Sequence, residues 1–172
     1  RAATGLFGGG WEAVPISDVA DAAGVSNQTV INLFRNVRSV AAHTFVRHVA
    51  TLTAEGGGED VAPVPGVRRV LTRLAAIVAI DPEPARALLE ERLIASLRHG
   101  APDEDDIRAT VPVMASLLPH LMRLELHDET PLELGATLIN TTLTMALGGP
   151  HPPERVAEMA LRLLPPQEAG LT

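Results

Sequence analysis

The stretch Ile16–Phe34, ISDVADAAGVSNQTVINLF, decides how this chain is read. Ile16, Val19, Ala20 and Ala23 recur at i, i+3, i+4 and i+7, the one apolar stripe of an amphipathic helix. Gly24 ends that stripe, because glycine takes the left-handed conformation that closes a helix without steric cost. Ser26 then offers its hydroxyl to the free amides of a second helix. In that helix Val30, Leu33 and Phe34 are expected to face inward, and Asn27, Gln28, Thr29, Ile31 and Asn32 outward. Helices this short do not persist alone in water, since their nucleation is not offset by elongation. Each must brace the other, and a third element must cover both.

Working outward, RAATGLFGGGW (Arg1–Trp11) starts already inside a helical pattern, so an N-terminal arm is expected to precede it. Gly8, Gly9 and Gly10 end that first helix, and Trp11 follows as a core anchor. Downstream, a helix from about Val37 to Thr53 offers Val40, Thr44, Val46, Val49 and Leu52 for burial. AEGGGEDVAPVPG (Ala54–Gly66) is poor in anything to bury and reads as a linker. The chain therefore divides into a head (1–54), a linker (55–66) and a body (67–172). The body reads as five helices, about Val67–Ala79, Glu83–Arg98, Glu104–Leu124, Leu132–Leu147 and Pro153–Leu164, with a kink or split expected at Pro112 and Pro119. No strand-like alternation persists and no fixed-period repeat occurs, so the fold class is all-α.

The 172 residues include no Cys, which fits a reducing compartment, and no Lys, so all 14 basic residues are Arg. No apolar run reaches the length of a membrane helix and no signal-peptide layout opens the chain; a cytoplasmic location is expected. The net charge is −7, but it is unevenly spread. Residues 1–54 hold four Arg against three carboxylates, a net of +1, whereas the other ten Arg face eighteen acidic residues, a net of −8. A polyanion is repelled least by the first third.

At this point Ile16–Phe34 resembles the helix-turn-helix of the tetracycline-repressor (TetR) family of transcriptional regulators. Ile16, Val19, Ala20, Ala23, Gly24, Val25, Ser26, Thr29, Val30 and Phe34 stand at the family's places, and LFGGGWEA (Leu6–Ala13) resembles its end of helix 1 followed by an aromatic. The resemblance is specific over residues 1 to about 50 and architectural beyond. It implies a three-helix DNA-binding head and a helical body that binds an effector and dimerises, the last two long helices forming a four-helix bundle with the partner. Effector binding between the central helices would move the two heads apart.

On such a head Gln28 and Asn27 carry chemistry for base edges, since an amide bonds adenine bidentately in the major groove. Thr29 and Ile31 would cover a thymine methyl, with Ser26 and Asn32 beside them. Where the family commonly has Tyr, His and Lys, this chain has Ile31, Leu33 and Val37. Those family residues mainly grip phosphates, so that task passes to Arg35, Asn36 and Arg38. Pro15 stands where the family prefers a capping Thr.

Constellations for catalysis and metal binding are weak. His43 and His48 are five apart, which places them on different helix faces rather than at the i, i+4 spacing of a helical metal site. His120 and His127, near Glu125, suit a polar pocket lining. Glu90 and Glu91 with Arg86 and Arg92 fit a solvated helix face, Arg86 and Glu90 forming an i, i+4 pair. There is no phosphate-cradling Gly-rich loop after a strand, no nucleophile elbow and no acid/base pair, so neither an enzyme nor a cofactor is expected.

An effector pocket, if apolar with few polar anchors, would draw on Leu74 and Ile77, then Leu89, Arg92 and Leu93, then Met114, Leu117, Leu118, His120 and Leu121, with Asn140. Small residues in PLELGATLINTTLTMALGG (Pro131–Gly149) allow close helix approach. The dimer candidates there are Leu134, Leu138, Thr141, Thr142 and Met145, joined by Val156, Met159 and Leu163; the same residues fit ordinary intrachain core. The expected partners are operator DNA, a second copy and a small apolar or aromatic effector, with no membrane. The expected activity is that of a repressor released by its effector. The competing expectation is a helical, dimeric small-molecule-binding protein with little DNA affinity.

Overall fold

The computed structural model describes residues 10–54, 61–99, 104–126 and 129–166, and among these every regular element is helical. A 3-10 turn, Trp11–Ala13, precedes α1 (Ile16–Ala23), α2 (Asn27–Phe34), α3 (Val37–Ala54), α4 (Pro63–Ile80), α5 (Pro82–His99), α6 (Glu104–Leu121), α7 (Pro131–Gly148) and α8 (Pro153–Leu161). The helix expected over residues 1–7, most of its glycine stop, the Leu52 side chain, the first six linker residues and His127 lie outside what is described.

The helix limits follow local chemistry. Gly24 closes α1 with φ 67° and ψ 33°, its N–H donating to the Ala20 and Asp21 carbonyls. A non-glycine residue would be strained in that conformation. Ser26 caps α2, accepting the Thr29 N–H at 3.1 Å. Asn36 caps α3, its Oδ1 accepting the Ser39 N–H at 2.8 Å. Pro15 provides no side-chain cap to α1.

Two expectations need correction. α4 starts at Pro63 rather than Val67, so the linker is shorter than its composition suggested. Both Pro63 and Pro65 fall in the first helical turn, where backbone amides have no intrahelical acceptor and proline loses nothing. Nor is there a split in the Glu104–Leu121 helix, which runs through Pro112 and Pro119 as one element. An interior proline costs about 3 kcal/mol, and here burial of Val113, Met114, Leu117 and Leu121 along the same helix offsets it.

The chain forms two compact units. The first comprises residues 1–48 and 80–109, the second residues 49–79 and 110–172. These units are not drawn along the expected head, linker and body, because α5 groups with the N-terminal helices. The reason is visible in the first unit's core: Val19 and Ala20 of α1, Val30 of α2 and Val40 and Ala41 of α3 enclose Ala87 of α5. Trp11, Val14, Ile16, Phe34 and Val37 pack around them. The second unit buries Val67, Leu71, Leu74 and Val78 of α4, Leu117 and Leu121 of α6, Leu134, Leu138, Ile139 and Leu143 of α7, and Val156 and Ala160 of α8.

Close packing in the second unit depends on Gly66. The His120 ring lies so near its backbone that any Cβ there would fall inside the imidazole's van der Waals envelope. The Arg123 side chain donates to the Val61 carbonyl at 3.0 Å, tying the turn after α6 to the start of α4. Arg68 and Glu158 join α4 to α8 by an exposed ion pair of 2.6 Å.

Candidate nucleic-acid interface

α2 carries the candidate interface, and its geometry follows from one buried side chain. Val30 is 3% exposed and pins the helix to α1 and α3. Residues on the opposite side must then face solvent. Ser26, Asn27, Gln28, Ile31 and Asn32 are all exposed, while Thr29 is half-buried, its hydroxyl 2.9 Å from that of Ser26. The amides are not independent: Gln28 Nε2 donates to Asn32 Oδ1 at 2.8 Å, one turn along. That bond uses one of the two Nε2 hydrogens, so the Gln28 amide keeps an acceptor and a donor for a further partner.

Leu33 was expected to face inward but is 69% exposed. Positions i+3 and i+4 from Val30 flank the same stripe, and the core takes only Phe34, whose ring meets His43 edge-on at 5.4 Å. Ile31, 41% exposed, and Leu33 therefore leave apolar surface on the outside of α2.

The basic group next to α2 is built on an unusual backbone. Arg35 has φ 63° and ψ −44°, and the Asn36 N–H donates to the Phe34 carbonyl at 2.7 Å across it. This is the rarer, strained form of the three-residue γ-turn, which costs a residue with a side chain about 1–3 kcal/mol. The turn lets α3 begin at once after α2 and leaves Arg35 and Asn36 exposed.

Arg38, in the first turn of α3, is held differently. Its guanidinium carbon lies 4.5 Å from the Trp11 ring centroid, and its Nε is 3.3 Å from Oε2 of Glu90 on α5. Glu90 thus belongs to this cluster and not to the solvated i, i+4 pair expected of it; Arg86 pairs with Glu83 instead. Nothing in the local sequence around Arg38 signals Glu90, since the two meet only through tertiary packing.

The remaining candidates lie elsewhere. In the first unit Leu89 and Arg92 are half-buried and Leu93 is 61% exposed. In the second, Leu74, Ile77, Met114, Leu117 and Leu121 are buried, Leu118 and His120 half-buried and Asn140 exposed. Burial lowers the pKa of His120, helped by the positive charges of Arg123 and Arg69. Its Nδ1 is buried without a hydrogen-bond partner. Of the dimer candidates, Leu134, Leu138, Thr142 and Val156 are buried in the chain's own core, Thr141, Met145 and Met159 are half-buried, and Leu163 is exposed. The Thr142 hydroxyl is satisfied by the Leu138 carbonyl at 2.8 Å.

Among the described residues no group of three or more His, Asp or Glu is arranged to hold a metal ion, and no helix is long and apolar enough to cross a membrane. Compared with protein-family models, curated proteins and solved structures, the chain matches none.

Proposed function

We propose that this protein is a DNA-binding transcriptional regulator of the TetR type, a repressor whose α1–α2 pair acts as a helix-turn-helix and whose α2 enters the major groove. The observation that carries the proposal is the exposed face of α2. A capped, buried-valine-pinned helix presents Gln28, Ile31 and Asn32 at i, i+3 and i+4, outside the core. Gln28 would read an adenine and Ile31 the methyl of a thymine; Arg35 and Asn36 would meet the phosphates at the start of α3. One bidentate amide–adenine pair gives about 1–3 kcal/mol of discrimination, too little for a unique genomic site. A homodimer reading two half-sites supplies the rest. The half-buried and exposed residues of α7 and of the turn after α8, Thr141, Met145 and Leu163, are the surfaces offered to the second copy. A small apolar or aromatic effector would favour a dimer with badly spaced heads, and DNA the opposite arrangement.

Fluorescence titration against the DNA flanking the protein's own gene, at two salt concentrations, tests this. Saturable, salt-dependent binding that exceeds binding to a scrambled duplex is the expected result. A Gln28→Ala variant is expected to lose preference at one base position and keep its salt slope. Light scattering that finds a monomer at micromolar concentration would remove the two-half-site argument.

A second function has a specific observation in its favour. Ile31 and Leu33 expose apolar surface at positions where phosphate contacts would be wanted, which suits a helical small-molecule-binding protein with little DNA affinity. Equal, weak binding to operator and scrambled duplex would decide for it.

A further inference from the structure

Arg38 makes a contact that its own chemistry does not complete. The guanidinium lies over the Trp11 ring, its carbon 4.5 Å from the centroid, in a cation–π contact, and the edge that carries its Nε lies beside Glu90. Along that edge Nε is buried, yet it makes no hydrogen bond: Glu90 Oε2 lies 3.3 Å away but too poorly aligned to accept. The two groups are held by charge, and a buried N–H donor is left without an acceptor. Such a donor retains most of its desolvation penalty, so an oxyanion in better alignment would displace the one present.

The position of the pair suggests which oxyanion. Arg38 sits in the first turn of α3, where free amides and the helix dipole favour negative charge. The exposed Arg35 and Asn36 immediately precede it, and the pair itself is open to water, with side-chain exposures of 26% for Arg38 and 37% for Glu90. A phosphodiester carries the same single negative charge as a carboxylate and two oxygens that suit the guanidinium edge bidentately.

We propose that the Glu90 carboxylate occupies an oxyanion seat formed by Arg38 on Trp11, standing in for a DNA phosphate, and that it competes with DNA for Arg38. The inference rests on the DNA-binding function proposed above. It makes Arg38 a phosphate contact that is masked in the free protein, and it makes α5, through Glu90, a setting on DNA affinity. Displacement of Glu90 leaves a carboxylate near the bound phosphate, so Glu90 opposes binding both by occupying Arg38 and by repelling its replacement.

The test uses the full chain as wild type, Glu90→Gln, Glu91→Gln, Arg38→Ala and the Arg38→Ala/Glu90→Gln double variant. Each is titrated with the flanking-gene duplex and a scrambled duplex at two salt concentrations, after its folding is checked by circular dichroism. Because a partly exposed ion pair is a weak competitor, Glu90→Gln is expected to tighten binding to both duplexes by about twofold to fivefold. Glu91→Gln makes the same change in net charge and is expected to give less. The Glu90→Gln gain is expected to vanish when Arg38 is already alanine. Should Glu90→Gln fail to fold, Glu90→Asp keeps the charge, draws the carboxylate back by one methylene and is expected to give part of the gain. Equal gains from Glu90→Gln and Glu91→Gln, or a gain that persists without Arg38, would overturn the competition while leaving DNA binding intact. Absence of binding by every variant to either duplex would overturn the DNA-binding function itself.

Discussion

α2 and α7 both begin with a hydroxyl cap, and there the likeness ends. α7 is eighteen residues long, is closed by reciprocal bonds between Thr130 and Glu133, and buries Leu134, Gly135, Leu138, Ile139, Thr142 and Leu143. α2 is eight residues long and buries Val30 alone. The first helix spends its surface on the core. The second is held by its cap, one valine and its neighbours, and its outer face carries only the bond between Gln28 and Asn32. That face exposes Gln28, Ile31, Asn32 and Leu33, the surface on which the proposed DNA contact rests.

The contrast is broken most directly by truncating one apolar residue in each helix. Leu138→Ala removes a fully buried side chain from the second unit and is expected to lower stability by about 2–5 kcal/mol. Leu33→Ala is expected to change it by no more than about 0.5 kcal/mol. Urea denaturation measures both, and similar losses would show that Leu33 belongs to a core after all. Next in size is Gly66→Ala, where a methyl group must displace the His120 ring. A loss of about 1–3 kcal/mol is expected, and a neutral outcome would mean that the ring moves aside freely.

The caps sharpen the comparison. Ser26→Ala removes the hydroxyl that accepts from the Thr29 N–H, leaving that amide only the Ser26 carbonyl, and is expected to cost about 1 kcal/mol in thermal unfolding. Thr130→Ala removes both bonds of the cap hydroxyl, the one accepted from the Glu133 N–H and the one donated to its carboxylate, while the Thr130 N–H keeps its bond to Glu133, and it is expected to cost more; the reverse order would mean that α2 depends on its cap more than on its packing.

The smallest effect is one of pH. His120 has its pKa lowered in the folded protein by burial, then by Arg123 and Arg69, so the folded state favours the neutral ring. Its contribution is therefore fully present above the ordinary histidine value of 6.5 and is lost as pH falls from there through the lowered folded value. Unfolding at pH 7.5 and pH 5 should show a loss on acidification that His120→Gln reduces. An unchanged pH dependence in that variant would assign the effect to other groups. Glu133 also has a lowered pKa, from its bonds to the Thr130 backbone and hydroxyl, and acts in the same direction at lower pH.

Much of the local structure was legible because its causes are local. Gly24 and Ser26 mark helix ends by what their own backbone or side chain does, and the structure has both in those roles. Val19, Ala20 and Val30 follow from helical spacing, and all are buried. Leu33 is not placed by local pattern, because spacing from Val30 admits both Leu33 and Phe34, and only the neighbouring helices decide which enters. The start of α4 is hidden in the sequence because proline and glycine look alike in a linker and in a first helical turn.

By itself, then, the sequence determined an all-helical chain, the limits of the α1–α2 pair and the polar face that α2 exposes, since capping, glycine conformation and periodicity act within a few residues. Tertiary structure alone decided that Ala87 of α5 enters the first unit's core, that Leu33 stays outside it, and that Arg38 meets Trp11 and Glu90. Those outcomes depend on which surfaces distant segments present to each other. No short-range rule of spacing or propensity contains that information.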